Sequence, residues 1–173
     1  FPMNIKSFIH RHQPAVPSII WIKAGLGAAL GMGFIGWLGD LTGEPLLIAP
    51  FGATCVLLFA VPNSPLAQPA NVIGGHMLAA AVTLLLRHYL PADWWAIGLA
   101  VGLVIALMVA FKVTHPPAGA TPVVVMLSDP GPLFLLFPML TSSIVLVLIA
   151  WLVHRLPPHT AYPMAPEIEG EGV

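Results

Sequence analysis

Apolar residues run through this chain in stretches of about twenty, and polar residues gather between them. Four stretches are long enough to cross a bilayer as helix: Ile19 to Gly39, Val72 to Leu90, Trp94 to Val113 and Leu133 to Val153. A crossing helix needs about 20 apolar residues, each rising about 1.5 Å. Two further apolar stretches, Leu46 to Pro62 and Pro117 to Ser128, are shorter. As helix, the second would cover only about 18 Å of a hydrocarbon core roughly 30 Å thick. Bare irregular backbone is not tolerated in lipid, so both short stretches must be buried among helices or line a wet cavity.

The short stretches resemble each other. A shift of 67 residues lays Pro50 on Pro117, Gly52 on Gly119, Ala53 on Ala120, Thr54 on Thr121 and Val56 on Val123. Pro65 and Leu66 likewise fall on Pro132 and Leu133, and Gly31 on Gly98. The pattern predicts an all-α polytopic membrane protein built of two repeats, each a long, a short and a long helix. The first repeat covers about 19–90 and the second about 91–155. Three crossings per repeat is an odd number, so the second repeat is expected inverted, as in many secondary transporters. Six membrane helices result. The alternative is four spans plus two re-entrant segments.

Composition places the whole chain in lipid. Of 173 residues, 58% are hydrophobic and 8% charged, where a soluble domain has about a quarter charged. The formal net charge of −1 implies no nucleic-acid partner. Cys55 is alone, which excludes an internal disulfide and a cysteine metal site. Lysine and arginine set the orientation. With six crossings and both termini cytoplasmic, Lys6, Arg11, Lys23, Lys112 and Arg155 lie inside and Arg87 outside. The four-span alternative exchanges Lys112 and Arg87, so charge orients the chain without choosing between the topologies. Met3 has the look of a native start, which sets Phe1 and Pro2 aside. Residues 1–18 are expected as a basic arm on the membrane surface, 19–155 as one membrane domain, and 156–173 as a disordered, proline-bearing tail ending in Glu167, Glu169 and Glu171.

The candidate chemistry sits where the backbone must break. Proline disfavours helix in the residue before it, so His115-Pro116-Pro117 must be extended, with a half-helix beginning at Pro117. The first repeat has the same design, with a half-helix beginning at Pro50. A helix start exposes unpaired N–H groups and partial positive charge. Gly52 and Gly119 leave the backbone open to a ligand, Ala53 and Ala120 follow, and Thr54 and Thr121 add hydroxyl donors. Two such starts facing each other inside a membrane suit a small anion.

His115 either contacts substrate or a proton, or bridges backbone groups freed by the prolines. His76, after Gly74-Gly75, either faces substrate or bonds across the bundle. Asn71 either contacts substrate or caps a helix at Val72. Lys112 either snorkels to the interface or attracts anions. Gly27 and Gly31, and Gly98 and Gly102, have a spacing that allows close helix contact within one chain or between chains. Trp21, Trp37, Trp94, Trp95 and Trp151 fall near span ends as interface anchors.

At P-F-G-A-T (50–54), S-P-L-A-Q-P-A-N-V-I-G-G-H (64–76) and H-P-P-A-G-A-T (115–121) the chain resembles the HPP family of integral membrane proteins. The resemblance runs from about residue 19 to 155. Family members are usually described with four membrane helices, from which the repeat reading departs. Members in cyanobacteria and chloroplasts are associated with nitrite transport. The resemblance implies a small-anion transporter, nitrite first, and the expected location is a bacterial inner membrane. A passive channel and a transport-inactive structural or regulatory subunit are the other readings. No catalytic or metal motif occurs, so no enzyme, metal or cofactor is expected. A bundle this small is expected to gain stability as a homo-oligomer.

Overall fold

The computed structural model describes residues 9–165. The expectations for Phe1 to Met3, for Lys6 and for the terminal glutamates lie outside them. Among the described residues the fold is all helical and without strands. Helix α1 is Ser18–Thr42, α2 is Ala49–Ala60, and α3 is Pro69–Tyr89. Helix α4 is Trp94–Ala110. A 3-10 turn, Pro116–Ala120, leads into α5, Thr121–Ser128, and α6 is Pro132–His154. Helices α1, α3 and α6 are long and apolar enough to cross a bilayer. Helices α2 and α4 are shorter apolar helices.

Each boundary has a chemical cause. Gly43, at φ 75°, closes α1 by returning its N–H to Gly39 O. The chain then runs extended to Ile48 (φ −133°, ψ 152°), and α2 begins with a proline in its first turn. The expected break at His115 has the same form (φ −136°, ψ 101°), with Pro116 and Pro117 opening the next turn. Three sequence expectations need correction. The second short stretch begins as a 3-10 turn at Pro116 and becomes α-helical only at Thr121. Asn71 does not cap a helix at Val72: Gln68 holds that place, because Pro69 suits the first helical position. The span expected at Leu133–Val153 is not one straight helix either. It begins as a 3-10 turn, passes Phe137 in an extended conformation, and becomes regular from Thr141. Pro138 forces this, since the residue before proline avoids helix.

Between helices in lipid, close packing replaces the hydrophobic effect as the cohesive force. Helix α1 buries Gly27, Gly31 and Ile35 along one stripe and turns Leu26, Leu30, Phe34 and Trp37 outward. A Cβ on Gly27 would stand 2.6 Å from the Phe59 ring, and one on Gly31 2.8 Å from Leu146. This glycine pair therefore seats α1 on α2 and α6 within the chain. Gly98 and Gly102 on α4 meet nothing within 4 Å.

The start of the C-terminal tail is packed, against the expectation of disorder from residue 156. Tyr162 is buried and its hydroxyl donates to Ala67 O at 3.1 Å. Burial also pushes its phenol above the usual range. Met164 N–H donates to Gln68 Oε1, and Lys23 Nζ donates to Leu156 O and Pro158 O. The prolines and the terminal glutamates argued for disorder. The aromatic anchor and backbone partners from distant segments decide otherwise.

Candidate functional site

Two broken segments meet inside the bundle, since α2 packs against the turn Pro116–Ala120. Thr54, about one and a half turns into α2, points inward and is fully buried. Its Oγ1 lies 2.9 Å from His76 Nε2 on α3, 3.0 Å from His115 Nε2, and 3.2 Å from Pro50 O in its own helix. His115 Nδ1 donates to Leu66 O at 2.9 Å. Both imidazoles are fully buried, with ring centroids 5.0 Å apart and edge-on. The Phe51 ring lies 5.0 Å from His76 on another side. One threonine thus joins two histidines that sequence places 39 residues apart.

Gly74 and Gly75 make the meeting possible. A Cβ at Gly75 would stand 2.8 Å from His115 Cβ and 2.9 Å from Val113 O. The missing side chain lets α3 lie directly on the extended segment before the prolines. Asn71, one turn earlier on α3, donates through Nδ2 to Thr114 O at 3.0 Å and holds that segment from the same side. Likewise, Ser142 of α6 donates to Leu46 O, in the extended segment before α2. Each extended segment is therefore held by a long helix distant in sequence, α3 for the one before Pro116 and α6 for the one before α2.

Residues 13–163 match the HPP transmembrane region. The chain belongs to the HPP family. Its curated relatives include two transmembrane proteins of Dictyostelium discoideum. One is 37% identical over 127 residues, covering 69% of this chain and 45% of the relative. The other is 34% identical over 126 residues, covering 68% and 40%. This HPP chain thus spans less than half the length of either. No solved structure matches it.

The residues singled out in this HPP sequence separate into two groups. Thr54, His76 and His115 come together in the interior, and the half-buried Asn71 bonds Thr114 O beside them. Gly52, Ala53 and Ala120 are exposed on the single chain, and Gly119 is half-buried with nothing within 4 Å of a Cβ built on it. Thr121, 67 positions after Thr54, is buried, and its hydroxyl has no partner. Pro50 and Pro117 are buried and Pro116 is exposed. The sequence reading missed Gly75 as the contact that seats α3, and Leu66 O as the anchor of His115. The G-G-H run was the available signal for the first; a backbone carbonyl in a loop carries none. Among the described residues, no three or more His, Cys, Asp or Glu side chains gather as a metal site would require.

Proposed function

We propose that this integral membrane protein carries a small inorganic anion, and that nitrite, the substrate implied by the family resemblance, is the first to test. The observation that carries the reading is the buried Thr54–His76–His115 cluster where two interrupted helices meet. An ionisable side chain inside a membrane is expensive and marks an ion or proton path. The half-helix starts supply the second element. Gly119 and Gly52 leave the backbone of both first turns open, as close approach of an anion requires. Exposed small residues there would meet lipid in a single chain, which favours a water-lined path or a second copy over that face. The bacterial inner membrane and a homo-oligomer are part of this proposal.

Six crossings, in two inverted repeats, fit this reading. Helix α2 and the turn Pro116–Ala120 begin 67 positions apart, the shift that aligns the sequence repeats. Arg87 pairs with Asp129 at 2.9 Å. With six crossings both residues lie outside; with four, the membrane would separate them. Tyr162 bonds Ala67 O. With six crossings the C-terminal tail and that loop share the cytoplasmic side; with four they would be on opposite sides. Asn63 is exposed in the same loop. A cysteine there, in a Cys55→Ser background, is expected to react with an impermeant reagent from the cytoplasmic side only. Labelling from outside would support four spans.

Purified protein in liposomes tests the function. Saturable nitrite uptake supports a carrier, and single-channel current would support the channel reading. Absence of flux with any small anion would leave the structural subunit. Gly119→Val refines the test. With open space at that position the variant should fold, yet its side chain covers the first-turn backbone. The apparent substrate constant is expected to rise several-fold, and wild-type uptake by the folded variant would count heavily against the half-helix site.

A further inference from the structure

The proton inventory of the cluster bears on what moves with the anion, an inference that rests on the carrier reading. A carbonyl can only accept, so His115 Nδ1, 2.9 Å from Leu66 O, carries a proton. In the neutral ring Nε2 is then bare and accepts the single proton of the Thr54 hydroxyl. Thr54 has none left for His76, so His76 Nε2 donates to Thr54 Oγ1. His76 Nδ1 is left bare, and it is a buried atom without a partner. One hydroxyl thus holds the two rings in opposite tautomers.

The same cage has a second arrangement in which every donor is satisfied. Pro50 O lies 3.2 Å from Thr54 Oγ1. When a proton from water binds His115 Nε2, that nitrogen becomes a donor to Thr54 Oγ1, and the threonine O–H turns to Pro50 O. His76 Nε2–H continues to donate to the same oxygen, which has two lone pairs. No bond between heavy atoms forms or breaks. A second proton finds no such place. It would sit on His76 Nδ1, without an acceptor, beside a charged ring whose centroid is 5.0 Å away.

Among the described residues, the surrounding elements supply no counter-charge. Helix α2 brings Cys55, next to Thr54. Helix α6 brings His154, whose Nε2 is engaged with Leu58 O. Lys112 follows α4 and is exposed, three residues before His115. Arg87 and His88 lie in the last turn of α3, far from His76. Helix α1 carries Lys23, bonded to the tail, and Asp40 in its last turn. No aspartate or glutamate occurs between Glu44 and Asp93, or between Asp93 and Asp129. A proton on the pair therefore lacks a carboxylate among the described residues to balance it, and a bound monovalent anion would fill that role.

We propose that Thr54, His76 and His115 form a binding site for one proton, with the Thr54 hydroxyl as its switch, and that one proton accompanies each monovalent anion. Nitrogen-15 NMR of histidine-labelled protein in nanodiscs tests the site, with signals assigned through His76→Gln and His115→Gln. The range is about pH 5 to 8, where histidine changes charge. At the alkaline end His115 should carry its proton on Nδ1 and His76 on Nε2. Acidification should charge His115 alone. Thr54→Ser should preserve this pattern, and Thr54→Val should release His76 from its single tautomer. The same tautomer in both rings, or two charged rings in the folded protein, overturns the site. In liposomes, uptake coupled to one proton is electroneutral and should not respond to an imposed membrane potential. Potential-driven uptake overturns the coupling. Absent flux in the wild type sinks the carrier reading instead, while the NMR outcome decides the proton site by itself.

Discussion

Replacing His115 by glutamine should remove the pH dependence of anion uptake. The sign follows from charge. On the proposed coupling, a proton on His115 balances the charge of the anion, so each helps the other to bind, and the effect is reciprocal. Wild-type uptake should therefore fall as pH rises. Glutamine can still donate to Leu66 O but carries no charge, so the variant's profile should be flat. Charge-assisted hydrogen bonds contribute about 1.5–3 kcal/mol, so uptake at the acidic end should drop roughly tenfold to a hundredfold. Uptake measured from about pH 5.5 to 8 and normalised to folded protein checks this across the range where histidine titrates. A surviving wild-type profile would mean that His115 only bridges backbone groups. In that case the His115→Gln variant would show its effect in thermal unfolding in detergent instead.

Gly75→Ala is the second large effect, and it runs against intrinsic preference. Alanine favours helix over glycine by about 1 kcal/mol. At Gly75, however, the new Cβ would stand 2.8 Å from His115 Cβ and 2.9 Å from Val113 O. One of these contacts is backbone, so α3 itself must move. Overpacking of this kind costs about 1–3 kcal/mol, and the shift separates His76 from Thr54. The expected result is a lower unfolding temperature in detergent together with loss of uptake. Gly33→Ala on α1 is the control, because nothing lies within 4 Å of its Cβ. It should leave stability unchanged or slightly raised. Equal behaviour of the two variants would remove the close approach at Gly75 from the account of the site.

Much of this fold could be read along the chain because lipid makes hydropathy a one-dimensional signal. The starts of α1, α3 and α4 lie close to the expected positions, and the backbone breaks at His115 as its prolines require. Where the reading erred, local rules competed. Asn71 is a good capping residue, but Gln68-Pro69 starts the helix earlier, and that leaves the asparagine amide free for Thr114 O. Pro138 was visible too, yet a run of apolar neighbours from Leu133 to Leu140 hid the interruption that it causes in α6.

The sequence by itself determined the solvent, the apolar segments, the two backbone breaks and the family, because each depends on residues close together in the chain. Tertiary structure alone decided which polar atoms meet. Thr54 and His115 are 61 positions apart, and His115 and Leu66 are 49 apart. Nothing local selects those partners. They are chosen because a buried hydroxyl, two imidazoles and a carbonyl satisfy one another's hydrogen-bonding needs. The same requirement turns a tail that looks disordered by composition into one whose Tyr162 reaches Ala67, 95 positions away.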